Sequence, residues 1–120
     1  MSLTKAEMRQ RVGEDLAIVP IGQTLESQDQ TRIDATYDEI YERLKEKGLA
    51  TWASSASVPT ELVPYFALMM EEKLLISYSV PESRYNRIKL EAGEDGNLAI
   101  ANISELVTPE YESIEDETGF

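Results

Sequence analysis

The stretch from Pro59 to Val80, PTELVPYFALMMEEKLLISYSV, constrains this chain more than any other. Wound at 100° per residue, Leu62, Val63, Tyr65, Phe66, Leu68, Met69, Met70, Leu74, Leu75, Ile76 and Tyr78 point in every direction. Glu61, Glu71, Glu72 and Lys73 do not gather into one wet face. A helix that is apolar all round has to be covered from several sides. The pattern therefore predicts a central helix wrapped by the remaining segments, with any side they leave bare meeting a neighbouring subunit. An Asp at Leu75 separates the cases: it destroys folding if Leu75 faces the core and blocks only assembly if Leu75 faces that neighbour.

With 120 residues and 42% hydrophobic content, the chain has material for one domain with a core of its own. Its formal charge of −12 is unevenly placed, because Lys89 is the last base and everything from Leu90 onward is acidic or neutral. Such a C-terminal part cannot grip nucleic acid by neutralising phosphates; it suits repelling DNA or docking on a basic partner. The chain has neither Cys nor His. That excludes disulfides, Ser–His and Cys–His nucleophiles and most zinc chemistry. The absence of a run of about 18 apolar residues, or of an apolar signal core in MSLTKAEMRQ, leads us to expect a soluble, unexported protein without membrane contact.

Thr4 and Glu7 have capping-box spacing, and Met8, Val12 and Leu16 recur every four residues, predicting an amphipathic helix over Lys5 to Leu16. Residues Ala17 to Thr24 read as a packed connector carrying Pro20 and Gly22. Ser27 and Gln30 repeat the capping spacing. Behind them Ile33, Tyr37, Ile40, Tyr41 and Leu44 form one stripe opposite Arg32, Asp38, Glu39, Glu42, Arg43 and Glu46, and Gly48 supplies the stop. The second helix is expected over Gln28 to Lys47. Leu49 to Val58 is a loop with the only Trp, Trp52, at its centre, and Thr60 or Pro64 starts the central helix.

Pro81 opens a segment whose periodicity fits two structures. Tyr85, Ile88, Ala92, Ala99, Ile103 and Leu106 fit a helical stripe, whereas Ile88, Leu90 and Ala92, then a turn at Gly93 to Asn97, then Leu98 and Ile100 fit a β-hairpin around 87–102. Gly93 and Gly96 each disfavour a helix interior by about 1 kcal/mol relative to Ala, so a break is expected near Gly93 to Asn97 in either case. The domain is expected over 1–106, and 107–120 reads as an acidic tail that does not fold alone.

No catalytic, cofactor or metal site is expected. Asp38 with Glu42, and Glu71 with Glu72, read as solvated helix faces, because acid–base catalysis needs carboxyls positioned on one substrate. Residues Gly93 to Asn97 lack the acid spacing of a calcium loop, and no phosphate-cradling Gly-rich motif is present. Lys5, Arg9 and Arg11 read as surface solvation rather than phosphate contacts, with 11 bases against 23 acids. Trp52 fits an interface anchor and a core cap equally well, and Met69 and Met70 read as core filler.

The succession of a short capped helix (TKAEMRQRV), a second helix ending in a Gly48 to Trp52 turn, and an apolar third helix after Val58 and Pro59 resembles the head-to-tail connector, or adaptor, proteins of tailed bacteriophages. The likeness covers Leu3 to Leu106, and Tyr37, Asp38, Glu39, Ile40 and Tyr41 are its most telling run. It implies an all-α fold, a small bundle of about four helices with an extended acidic C-terminal tail, and favours helix over hairpin for the fourth element. It implies a structural virion protein of the neck, made in the host cytoplasm, forming a homo-oligomeric ring of about a dozen copies. That ring binds the portal protein above and tail or nozzle proteins below, and takes part in genome packaging and ejection. DNA passes through its lumen without sequence-specific binding, and an acidic lining lets it slide. Trp52, Tyr65, Leu75, Tyr111, Ile114 and Phe120 are the expected interface contributors. Two rivals come from other classes: an acidic helical intracellular module that masks a basic or nucleic-acid-binding partner, and, more weakly, a carboxylate hydrolase.

Overall fold

In the computed structural model, which describes residues 2–107, Thr4 caps helix α1 (Lys5–Asp15) as its spacing predicts. The Thr4 hydroxyl accepts from the Glu7 N–H at 3.1 Å while the Glu7 carboxylate accepts from the Thr4 N–H at 2.9 Å. Met8 and Val12 face inward from α1, and Leu16 is buried just after it. The connector that follows packs only in part: Ile18, Val19 and Leu25 meet the core, whereas Ile21 stands out in solvent.

Helix α2 (Ser27–Glu46) buries the predicted stripe of Ile33, Tyr37, Ile40, Tyr41 and Leu44. Its start differs from the expected capping box. Ser27 is already helical, Glu26 is the cap without a side-chain hydrogen bond, and the Gln30 amide instead donates to the Leu25 carbonyl at 2.8 Å. Gln30 thus ties the connector to the helix rather than closing the helix on itself.

The chain enters the centre through a 3₁₀ turn at Thr60–Leu62, which takes the place of the expected Thr60 side-chain cap. Helix α3 (Val63–Leu74) follows with Pro64 in its first turn, where a missing N–H costs little. It buries Val63, Phe66, Ala67, Met69, Met70, Glu71 and Leu74. Each large apolar side chain among these contributes about 1.5–3 kcal/mol through burial. The helix ends earlier than the apolar run implied. Leu75 turns inward at 6% exposure while Ile76 is 92% exposed, and a turn over residues 75–77 redirects the chain.

Helix α4 (Glu82–Ala92) and a helix over residues 97–107, α5, complete the described residues. The molecule is therefore all-α, and the hairpin around 87–102 does not form. The break falls where expected. Gly93 has φ +79°, a conformation open to glycine, and Glu94–Gly96 makes a 3₁₀ turn in which Asp95 is itself left-handed at φ 55°. Ile88, Ala92, Ala99 and Ile103 bury the helical stripe, but its first and last members, Tyr85 and Leu106, are left exposed. Helices α1, α2 and α4 and the Glu94–Gly96 turn all pack on α3, so the chain itself covers its central helix.

One contact had no local signature. Leu3 and Val58 exchange both backbone hydrogen bonds, at 3.2 and 2.7 Å, the isolated β-bridge among the described residues. No helix among these residues is long and apolar enough to cross a membrane. The expected tail at 107–120 lies outside them except for Val107, which is still helical.

Candidate functional site

Trp52 is placed by its neighbours on α2 and α3. The Tyr41 hydroxyl donates to the Trp52 carbonyl at 2.6 Å, and the indole stands edge-on to Tyr41 at 5.6 Å and to Phe66 at 6.0 Å. Tyr37 completes the group with its ring centre 4.9 Å from that of Phe66. Trp52 is thus a lid over the α2–α3 seam, half-buried rather than projecting. The Trp52 Nε1 and Tyr37 hydroxyl atoms are buried without a well-formed hydrogen bond among the described residues. Burial pushes the Tyr37 hydroxyl up from its ordinary pKa, and the nearby indole N–H opposes that shift in part.

The bases of α1 are taken up by carboxylates. Lys5 reaches Asp38 at 2.7 Å, Arg9 reaches Asp34 at 2.7 Å, and Arg11 lies 3.6 Å from Asp15. Two of these pairs stitch α1 to α2, so these cations are already neutralised within the fold. Asp38 and Glu42 are exposed, as expected for a solvated face. Among the described residues no group of His, Cys, Asp or Glu is arranged to hold a metal ion. In the Gly93 to Asn97 turn, Asp95 is engaged by Arg43, whose guanidinium donates to its carbonyl at 2.8 Å.

Glu71 departs from the sequence reading. It is 4% exposed, although its position in a run of charged residues pointed to solvent. Its neighbour Glu72 is not a solvated face either: its side chain is only 12% exposed, and it accepts from Lys89 of α4 at 2.9 Å. The difference arises from what lands on each residue. The C-terminus of α1 and the body of α4 close over Glu71, and the Arg84 guanidinium, donating to the Asp15 carbonyl at 2.9 Å, fastens α4 to the end of α1. Burial first, and then the adjacent Asp15 carboxyl, push the Glu71 pKa up to about 9.

Of the expected interface residues, Trp52, Tyr65 and Leu75 lie among the described residues, and none of the three is exposed. Leu75 is inside the core and is therefore unavailable as a surface contact of the folded chain. Tyr65 is half-buried against the core, and Tyr111, Ile114 and Phe120 lie outside the described residues. The large apolar side chains left in water are others: Ile21, Ile76, Tyr85, Leu90, Leu98 and Leu106. Most belong to the chain after α3, and Leu90, 75% exposed, lies on the side of α4 away from Ile88 and Ala92. The sequence carried a signal for Leu90, which falls off the helical stripe. No protein-family model, curated protein or solved structure matches this chain.

Proposed function

We propose that this chain is a head-to-tail connector subunit of a tailed bacteriophage, assembling as a ring between the portal and the tail and extending the DNA channel. Three features support the reading: the order of a capped first helix, a striped second helix and an apolar third helix packed on by the others; the acidic surface; and the apolar side chains of α4 and α5. The last of these carries it. The central helix is covered by its own chain, yet Leu90, Leu98 and Leu106 are exposed. On this reading those side chains are the contacts that neighbouring subunits cover. The interface therefore lies on the later helices and not along α3.

In this role the protein performs no chemistry. A net charge of −12 keeps DNA from adhering as it passes, and helix faces provide the contacts between neighbours. Native mass measurement and negative-stain imaging, with and without portal, test the reading. A ring on the portal is expected, and a ring in neither condition overturns it. Leu90→Asp combined with Leu98→Asp should keep the helical spectrum and lose the ring. The tail is a separate part of the proposal: unchanged portal co-sedimentation after removal of residues 111–120 would refute its docking role. The masking-module reading draws on the same acidity, and stoichiometric binding to a basic protein without any ring would favour it.

A further inference from the structure

The carboxyl of Glu71 has no place in the connector reading, and its surroundings are unusual for a charged group. Its Oε2 is fully buried and has no hydrogen-bond partner among the described residues. The Asp15 side chain at the end of α1, one of the groups that act on it, is itself a carboxylate. Two ionised carboxylates offer four acceptor oxygens and no donor. A single proton turns that contact into a hydrogen bond and removes the like-charge repulsion.

We propose that Glu71 is held in its neutral form and donates a hydrogen bond to Asp15, making the junction of α1, α3 and α4 a latch that loosens when one proton is lost. The other charged groups around it do not replace that proton. From α1, Arg11 is engaged with Asp15 at 3.6 Å, and Glu14 is turned away to the Gln10 amide and the Gly22 N–H. From α4, Arg87 lies 3.8 Å from Glu91, and Arg84 is spent on the carbonyls of Glu14 and Asp15. Arg11 and Arg87 each pull the Glu71 pKa down, but less than burial and Asp15 push it up. On α3 itself, Glu72 is paired with Lys89, and Lys73 reaches Glu39 of α2. The remaining α2 base near α3, Arg43, is bound to Asp95. Ionising Glu71 therefore leaves a buried charge without a partner beneath α4, and undocking α4 is the way to hydrate it.

Two measurements on the full chain test this. The carbon-13 shift of the Glu71 side-chain carboxyl should titrate near pH 9; a midpoint near the ordinary 4.5 overturns the proposal. Asp15→Asn should move that midpoint down by about one pH unit or more, because it removes a like charge. An unmoved midpoint overturns the pairing with Asp15. Hydrogen exchange of the α4 amides, corrected for the intrinsic base-catalysed rate, reads the latch itself. If opening hydrates Glu71, the opening constant rises about tenfold per pH unit between pH 6 and pH 8 in the wild type and stays level in Glu71→Gln. Equal pH dependence in both proteins overturns the proposal, and should Glu71→Gln fail to fold, the wild-type titration still decides.

Discussion

Replacing Glu71 with Gln isolates the free energy of carrying one carboxyl proton through folding. In the unfolded chain this group titrates at 4.5, and in the folded protein burial and Asp15 raise it to about 9. Above pH 4.5 the folded state holds a proton that the unfolded state has released, so stability falls as pH rises and levels off once pH passes 9. Each pH unit inside that window is worth about 1.4 kcal/mol. At pH 7 the wild type is therefore destabilised by about 3 kcal/mol relative to pH 4 through this group alone, a large part of the 5–15 kcal/mol typical of a domain. Gln fills nearly the same volume, keeps a donor for Asp15 and does not titrate. Urea unfolding of both proteins at pH 5, 6, 7 and 8 gives the difference directly, and the rest of the acidic surface largely cancels in it. The variant should be nearly equal to the wild type at the acid end and more stable by about 3 kcal/mol at pH 7. A difference that does not grow with pH, or a variant less stable at pH 7, would refute the reasoning.

Three other substitutions probe the packing. Trp52→Ala removes the lid over Tyr41 and Phe66 and should lower stability by about 3 kcal/mol, the low end for a large aromatic because the indole is only half-buried; chemical denaturation reads it. Leu75→Asp places a charge in the core and should abolish the helical circular dichroism signal, so a folded monomer would show that the inward turn after α3 is wrong. Gly93→Ala sets a Cβ 2.7 Å from the Leu98 Cγ in a backbone conformation at φ +79°. It should destabilise by more than about 1 kcal/mol, measured by thermal unfolding, whereas an unchanged midpoint would argue against the tight turn between α4 and α5.

The parts legible in the sequence were those governed by local periodicity. Ile33, Tyr37, Ile40, Tyr41 and Leu44 repeat at helical spacing, and α2 buries them all. The all-round apolar character of α3 announced a hub, and the chain packs it from several directions. Ends were harder to read. Leu75 and Ile76 are both apolar, and only the path of the chain after Leu74 decides that one is buried and the other bare. Ser27 and Gln30 have capping spacing, but Gln30 finds a closer acceptor in the Leu25 carbonyl. Glu71 was invisible for the same reason in stronger form. Nothing in a Glu-Glu-Lys run marks its first member for burial, which depends on where α1 ends and where α4 lands. The surface apolar residues were half legible: Leu90 falls off its stripe, whereas Tyr85 and Leu106 fit theirs and are exposed all the same.

The two hydrogen bonds between Leu3 and Val58 join the beginning of the chain to the threshold of α3. They close α1 and α2 into a clasp whose two ends meet just before the central helix begins. An addition ahead of the first residue is thus tethered, through Leu3, to Val58, just before the turn that enters α3. The Leu3 amide donates to the Val58 carbonyl, so its exchange with solvent reports the opening of this bridge.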